Sequence, residues 1–292
     1  MKKVHLSVII PSWTGEVSRL RRSLASQTYQ DFETIVVRGV SPAGRARNQG
    51  VAQASGELIL FIDDDAFFGH ERVLETMVTT LEADGSIGVV GPAKILPDGA
   101  NWLQRRIAAQ VPRAVIPAHD DDVESNPPVD GHGFTGITTT CCVLRRSMFE
   151  QLSGFAEDLK TGEDPEFFYR VRRAGHRFMM PGGCWVNHEL PGTLRAMLRK
   201  SFGYGHGHGY QARRNPERKL AVVPLDRWYG KLFLAISPLL ILPSVFVSYV
   251  FEPRPGLQWG VRPIKALSTF ATLWGYAYGW RLGARRPDIT AG

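Results

Sequence analysis

Cysteine is scarce in this chain: three in 292 residues, with Cys141 and Cys142 adjacent and Cys184 alone. That is too few for a disulfide scaffold, and a reducing compartment is the simplest reading. No CxxC pair or Cys/His spacing is present, which excludes a zinc finger. The apolar run after Met1-Lys2-Lys3 stops at Pro11, too short for the core of a secretion signal. Residues 6–10 are expected to be a first strand instead. No repeat period is visible. Acidic residues are sparse in the last third. Residues 1–190 hold 20 basic and 24 acidic residues, whereas 191–292 hold 15 basic and 4 acidic. The whole net charge of +7 therefore arises from the C-terminal third. Such asymmetry suggests nucleic acid or an anionic membrane. No nucleic-acid motif accompanies it, so nucleic acid is not expected as a partner.

What is present favours a membrane surface. Residues 232–251 carry no charge over 20 positions. A helix of that length is about 30 Å long, roughly a bilayer core. Pro238 and Pro243 interrupt it, so a straight span is uncertain. A second apolar stretch, 266–280, is rich in Trp and Tyr and suits an interfacial segment. Basic residues flank both stretches, including Arg227, Lys231, Arg262, Lys265 and Arg281. A single span would leave one basic group outside, against the positive-inside tendency. A peripheral, monotopic or hairpin attachment to the cytoplasmic face of the inner or plasma membrane is expected. The alternative is that these helices bury each other or a partner subunit.

Hydrophobic content of 43% with 22% charged residues is ordinary for a folded protein. Along 4–100, apolar strands at 4–11, 32–37, 58–62 and 87–91 alternate with helical spacing at 16–27, 44–54 and 71–83. That rhythm predicts an α/β fold with a mostly parallel sheet. Residues 101–130, rich in Pro and Asp, read as a loop or insertion. A strand at 138–144, a helix at 146–152, a helix at 165–174 and short strands at 178–180 and 185–187 follow. Residues 194–201 read as a basic helix, and 203–209 as a flexible Gly/His stretch. The expected division is a catalytic domain over 1–215 and a basic, apolar, membrane-associating region over 216–292.

The sharpest feature is GELILFIDDD at 56–65. A buried strand ends abruptly in Asp63, Asp64 and Asp65. Three adjacent carboxylates repel one another and are costly to desolvate. A hard cation resolves that conflict, magnesium or manganese shared with substrate phosphates. Open α/β sheets bind ligands beyond the carboxyl ends of their strands. The bland alternative is a solvated acidic turn before a helix. A second acidic pair, Glu163-Asp164, stands in GEDPEFFYR at 162–170.

With these segments, SVIIPSW at 7–13, Arg47-Asn48-Gln49-Gly50, Arg145-Arg146 followed by Gly154-Phe155, and Val186-Asn187-His188, the chain resembles family 2 glycosyltransferases of the GT-A fold. The pieces stand in the family's order, over about residues 4–190. The resemblance implies a GT-A, Rossmann-like mixed, mostly parallel sheet flanked by helices, here with apolar C-terminal helices. It implies inverting transfer of one sugar from a nucleotide-diphosphate donor to a glycan or lipid-linked acceptor of the cell envelope. It implies that Asp63 and Asp65, the DxD pair, hold the cation with His188 as third ligand. Asp64 assists at the donor, beside Pro11, Ser12 and Arg47, with Arg45 as a rival to Arg47. Asp164 matches the general base; N-capping of the next helix is its structural alternative. Glu163, His206 and His208 are candidates on the acceptor side, although a linker with solvated histidines also fits.

One departure bears on specificity. The family usually carries an acid just after its second strand, where this chain has Arg38-Gly39. Uridine specificity is therefore open, as are GDP- and dTDP-sugars. No QxxRW segment is present, which favours single transfer over chain synthesis. Two rivals remain. A nucleotidyltransferase would show a Gly-rich basic phosphate loop, of which residues 12–22 are a poor version. A non-catalytic binding module would not need Asp63, Asp65 and Asp164.

Overall fold

The computed structural model describes residues 4–111, 114–128, 136–218, 220–244 and 262–283. The chain divides into two compact units. The first holds residues 1–100, 115–129 and 133–189; the second holds 101–114, 130–132 and 190–292. The second unit takes up the C-terminal part of the chain from residue 190.

In the first unit, β1 (Leu6–Ser12), β2 (Phe32–Arg38) and β3 (Leu58–Ile62) pair in parallel, with β1 in the middle. Helices α1 (Ser18–Ala25) and α2 (Ala43–Gln53) make the crossovers. All five residues of β3 are buried, as its unbroken apolar run requires. The short β4 (Ala66–Phe68) and α3 (Val73–Ala83) lead to β5 (Ile87–Val90) and β6 (Ala93–Ile95). After the segment that joins the second unit come β7 (Val123–Glu124), β8 (Cys141–Arg145), α5 (Arg146–Gln151), α6 (Glu163–Arg173), β9 (Arg177–Met180) and β10 (Trp185–His188). A seven-stranded sheet has the order β2-β1-β3-β8-β5-β9-β7, with β8 and β7 antiparallel to their neighbours. A second sheet, β4-β10-β6, has three strands. The two faces of the main sheet bury separate apolar clusters, one around Leu20, Leu60 and Val78, the other around Phe61, Phe149 and Phe167.

Several motif residues are structural ties. Asn48 clamps Phe155 reciprocally: its Nδ2 donates to the Phe155 carbonyl and its Oδ1 accepts from the Phe155 N–H, both at 2.9 Å. Arg145 donates to the Ile87 carbonyl at 2.6 Å, and Arg146 to that of Ala54 at 2.7 Å. Gly50 lets α2 lie close on β1, since a Cβ there would come within 2.3 Å of the Ile9 side chain.

In the second unit, residues expected to be loop form α4 (Trp102–Gln110). Asn101 and Gln104 build a capping box, each side chain bonding the other's backbone N–H. The expected flexible stretch at 203–209 lies inside α7 (Leu194–Arg214), a 21-residue helix. Gly205 and Gly209 face α9 (Pro263–Gly283). A Cβ at Gly205 or Gly209 would meet the carbonyls of Thr272 or Tyr276 at about 2 Å, and one at Gly275 or Gly279 those of Phe202 or His206. Small residues four apart on both helices bring the backbones together, and the lost side-chain packing is replaced by backbone contact. The second apolar stretch, 266–280, thus packs its small-residue side on α7, while Leu267, Trp274 and Tyr278 stay exposed. Between them runs α8 (Trp228–Ser244). Among the described residues, no helix is long and apolar enough to cross a membrane. Residues 245–251 of the long apolar run lie outside the described residues.

Candidate active site

The main chain leaves the core at Asp63, immediately after β3. The Asp63 N–H donates to the Thr140 carbonyl at 3.0 Å, and the Ala66 N–H to that of Asp63 at 3.1 Å. This closes a tight turn with Asp64 and Asp65 at its tip. Strand β10 runs antiparallel to β4 with His188 opposite Ala66. That register sets the buried His188 beside Asp65, Nε2 to Oδ1 at 3.5 Å. Asp63, Asp65 and His188 each offer a ligand atom, all within 4.8 Å of one another. Two strands distant in sequence thereby assemble one donor set.

Arg47 explains how the acidic turn is tolerated. The residue is 3% exposed. Nη2 donates to Asp63 Oδ1 at 2.8 Å and Nη1 to Glu163 Oε1 at 2.7 Å. Burial alone would lower its pKa, but Asp63, Glu163 and Asp164 outweigh this and raise it. Arg47 therefore stays a fixed cation between the two acidic segments. This tie between the acidic segments stands beside the donor contact that the sequence leads one to expect of Arg47. Helical spacing held the signal, because Arg47 shares its inward stripe with Gly44 and Val51. Its rival Arg45 is on the surface, paired with Glu157 at 3.2 Å.

Asp164 lies in the first turn of α6. The helix begins two residues before the expected Pro165, and its N-cap is Gly162 at φ +82°, with no side-chain cap. Asp164 is not the N-cap, and that structural alternative falls away. The residue as a whole is half-buried. Burial chiefly, then the negative charges of Glu163 and Asp63, push its carboxyl up to about 7 against the opposing pull of Arg47. Such a value suits a group that accepts a proton near neutrality.

Pro11 and Ser12 end β1, with Ser12 in register with Arg38 on β2. The Ser12 hydroxyl accepts from the Gly15 N–H at 2.9 Å. Gly15 is left-handed at φ +79° and lies under the Arg38 guanidinium, where a Cβ would collide. Arg38 donates to the Thr14 carbonyl at 2.8 Å. These groups gather beyond the carboxyl ends of β1, β2 and β3, where the strand order turns back across β1, the usual ligand crevice of such a sheet. His206 and His208 belong to the second unit. The His208 Nε2 lies 3.1 Å from the Leu220 carbonyl, and the His206 ring stacks near Tyr210 and Tyr278.

Residues 41–153 match the family model "Glycosyl transferase family 2". That stretch is similar to the family's model over 113 of the 292 residues. The chain is 25% identical over 180 residues to the pre-mycofactocin glycosyltransferase of Mycobacterium tuberculosis, covering 61% of this chain and 36% of that one. It is 24% identical over 187 residues to the O-antigen chain rhamnosyltransferase WbaN of Salmonella anatum, covering 63% and 57%. With the O-antigen biosynthesis protein RfbC of Myxococcus xanthus it shares 27% over 158 residues, 51% of this chain and 12% of that one. The chain thus spans less than two thirds of the length of these curated relatives. Among solved structures, the mannosyltransferase PcManGT of Pyrobaculum calidifontis, in complex with GDP-Man and Mn2+, superposes with a TM-score of 0.60. It is 16% identical, and the match covers 98% of this chain and 89% of that one. S. aureus TarS 1–349 in complex with UDP-GlcNAc gives 0.51 at 16% identity, covering 98% and 94%. The fold is GT-A-like: a mixed α/β unit with a seven-stranded, mostly parallel sheet.

Two carboxylates and an imidazole fit a divalent cation. Arg47 engages one Asp63 oxygen and leaves the other free for it. Arg47 is a single cation against the five carboxylates of 63–65 and 163–164, so the site still calls for positive charge.

Proposed function

We propose that this chain is an inverting glycosyltransferase that moves one sugar from a nucleotide-diphosphate donor to a hydroxyl of a cell-envelope glycan or lipid-linked acceptor. The observation that carries this reading is the buried Arg47, which ties the carboxylate turn after β3 to the acidic pair opening α6. Donor and base functions need that proximity. Magnesium or manganese, when bound, would neutralise charge developing on the departing diphosphate. Asp63, Asp65 and His188 would hold it. Pro11, Ser12 and Asp64 would line the donor side, and Glu163 the acceptor side. Asp164 would take the acceptor hydroxyl proton as that oxygen attacks the anomeric carbon. The carbon–oxygen bond to the diphosphate then breaks, and the electron pair leaves with the nucleotide. Attack from the face opposite the leaving group inverts the configuration. The relatives named for O-antigen synthesis support an envelope acceptor, and the basic C-terminal third supports work at an anionic membrane surface, on its cytoplasmic face.

Two variants test the assignment. Asp164→Asn should lower turnover by roughly a hundred- to ten-thousandfold while donor affinity survives. Asp65→Asn should remove manganese-dependent binding of nucleotide diphosphates, read by calorimetry across UDP, GDP and dTDP. Metal dependence unchanged in Asp65→Asn would refute the site.

A further inference from the structure

Helix α8 is built inside out for a soluble protein. Its packed edge is small and narrow: Gly230 and Ser237 are buried, with Leu234 half-buried between them. A Cβ at Gly230 would come within 2.1 Å of the Pro224 carbonyl, so this edge sits directly on backbone. The bulky residues point the other way. Trp228 is 74% exposed, Leu239 70% and Leu232 50%, with Tyr229, Phe233 and Ile236 exposed along one flank. At 100° per residue, Trp228, Leu232 and Leu239 fall opposite Gly230 and Ser237. A helix apolar round its circumference normally lies in a core or in lipid.

Charge decides what covers it. Arg227, immediately before α8, and Lys231 in its first turn are exposed; Arg227 lies 3.8 Å from the likewise solvent-facing Asp226, which leaves it open to a headgroup. The acids among the described residues of the second unit are Glu217 and Asp226, against thirteen Arg and Lys. A second copy seated on this face would bring like charges together. An anionic headgroup layer supplies the opposite charge, and Trp228 and Tyr229 suit its boundary with the acyl chains.

We propose that α8 lies flat in the interface of an anionic bilayer, Trp228, Leu232 and Leu239 inward, with Arg227 and Lys231 on headgroup phosphates. This deepens the membrane-associated reading above and rests on it. At about 25 Å for 17 residues, α8 needs no span to do this.

The test is flotation of the full chain with vesicles of phosphatidylcholine alone or with one third phosphatidylglycerol. Wild type should float with the anionic vesicles, weakly with the neutral ones, and less as salt rises. Leu232→Glu/Leu239→Glu should lose anionic binding by roughly tenfold or more. Arg227→Glu/Lys231→Glu, which leaves the apolar edge intact, should lose the difference between the two vesicle types. Circular dichroism melts and manganese-dependent nucleotide binding report folding and the transferase reading separately. Unchanged flotation of the double-Glu variant in its folded state would sink the proposal. So would a wild-type dimer in sedimentation velocity that the same variant turns into a monomer, because a second copy would then cover α8.

Discussion

Arg47 is where two demands meet. The carboxylates that would bind a cation and accept a proton are crowded, and a guanidinium fixed among them lowers that cost. Removing it leaves Asp63 and Glu163 partly buried without their partner, which costs on the order of 3–5 kcal/mol in comparable buried pairs. Arg47→Met should therefore lower the melting temperature markedly. Manganese should restore part of the loss, because it supplies the charge that the variant lacks. A melting curve for Arg47→Met that ignores both the substitution and the metal would mean that Arg47 is not a structural counter-ion. Asp164 gives the pH prediction. Its folded pKa, about 7, is raised above the ordinary carboxylate value. The stability it contributes is present below the unfolded pKa and lost as pH rises through about 7. Base function runs the other way, since only the ionised form takes a proton. The kcat/KM should therefore climb between about pH 6 and 8 before levelling, and the limb should vanish in Asp164→Asn. A flat profile across that range would contradict the base assignment.

At the scale of elements, legibility tracked period and context. Strand β3 and its acidic end were plain in the sequence because a five-residue apolar run followed by three Asp has few other readings. The strand and helix alternation through residue 91 was equally legible, because each element repeats its own period. The three-stranded sheet was not. Strands β4 and β6 have three residues each and carry no period to read, yet β4 is what brings Asp65 to His188. Helix α4 had a usable signal, Asn101 three residues before Gln104, hidden in a segment rich in breakers. Helix α7 misled for a physical reason. Four glycines in seven residues disfavour a helix on propensity alone, and only the facing glycines of α9 repay them through close backbone contact. That pairing gives a prediction. Gly209→Val would push a side chain into the Tyr276 carbonyl, about 2 Å from its Cβ position. It should destabilise the second unit by at least the roughly 1–3 kcal/mol typical of overpacking. Gly203→Ala, about 200° round the helix from Gly205, should cost far less. Equal thermal shifts in the two variants would show that the helices do not touch as described.

At the scale of the molecule, the two units divide the chemistry. Every residue assigned to cation, donor or base lies in the first unit, which buries its own two apolar clusters. The second unit holds the basic excess, the glycine-packed helix pair and the exposed α8. A cut near residue 225 removes α9 and strips α7 of its partner, so the remaining helix would expose a glycine-lined backbone with nothing against it. A chain ending at Glu189 avoids that fault. With α7 to α9 absent, its remaining piece of the second unit, α4, also loses its partner α9. The expected outcome is a somewhat less stable protein that keeps manganese-dependent nucleotide binding, measured by calorimetry against the full chain. It should lose flotation with anionic vesicles, and transfer to a lipid-linked acceptor should fall far more than donor hydrolysis. Nucleotide binding lost together with transfer, in a chain that still melts cooperatively, would mean that the second unit completes the donor site. The division of labour between catalytic sheet and membrane-facing helices would then be wrong.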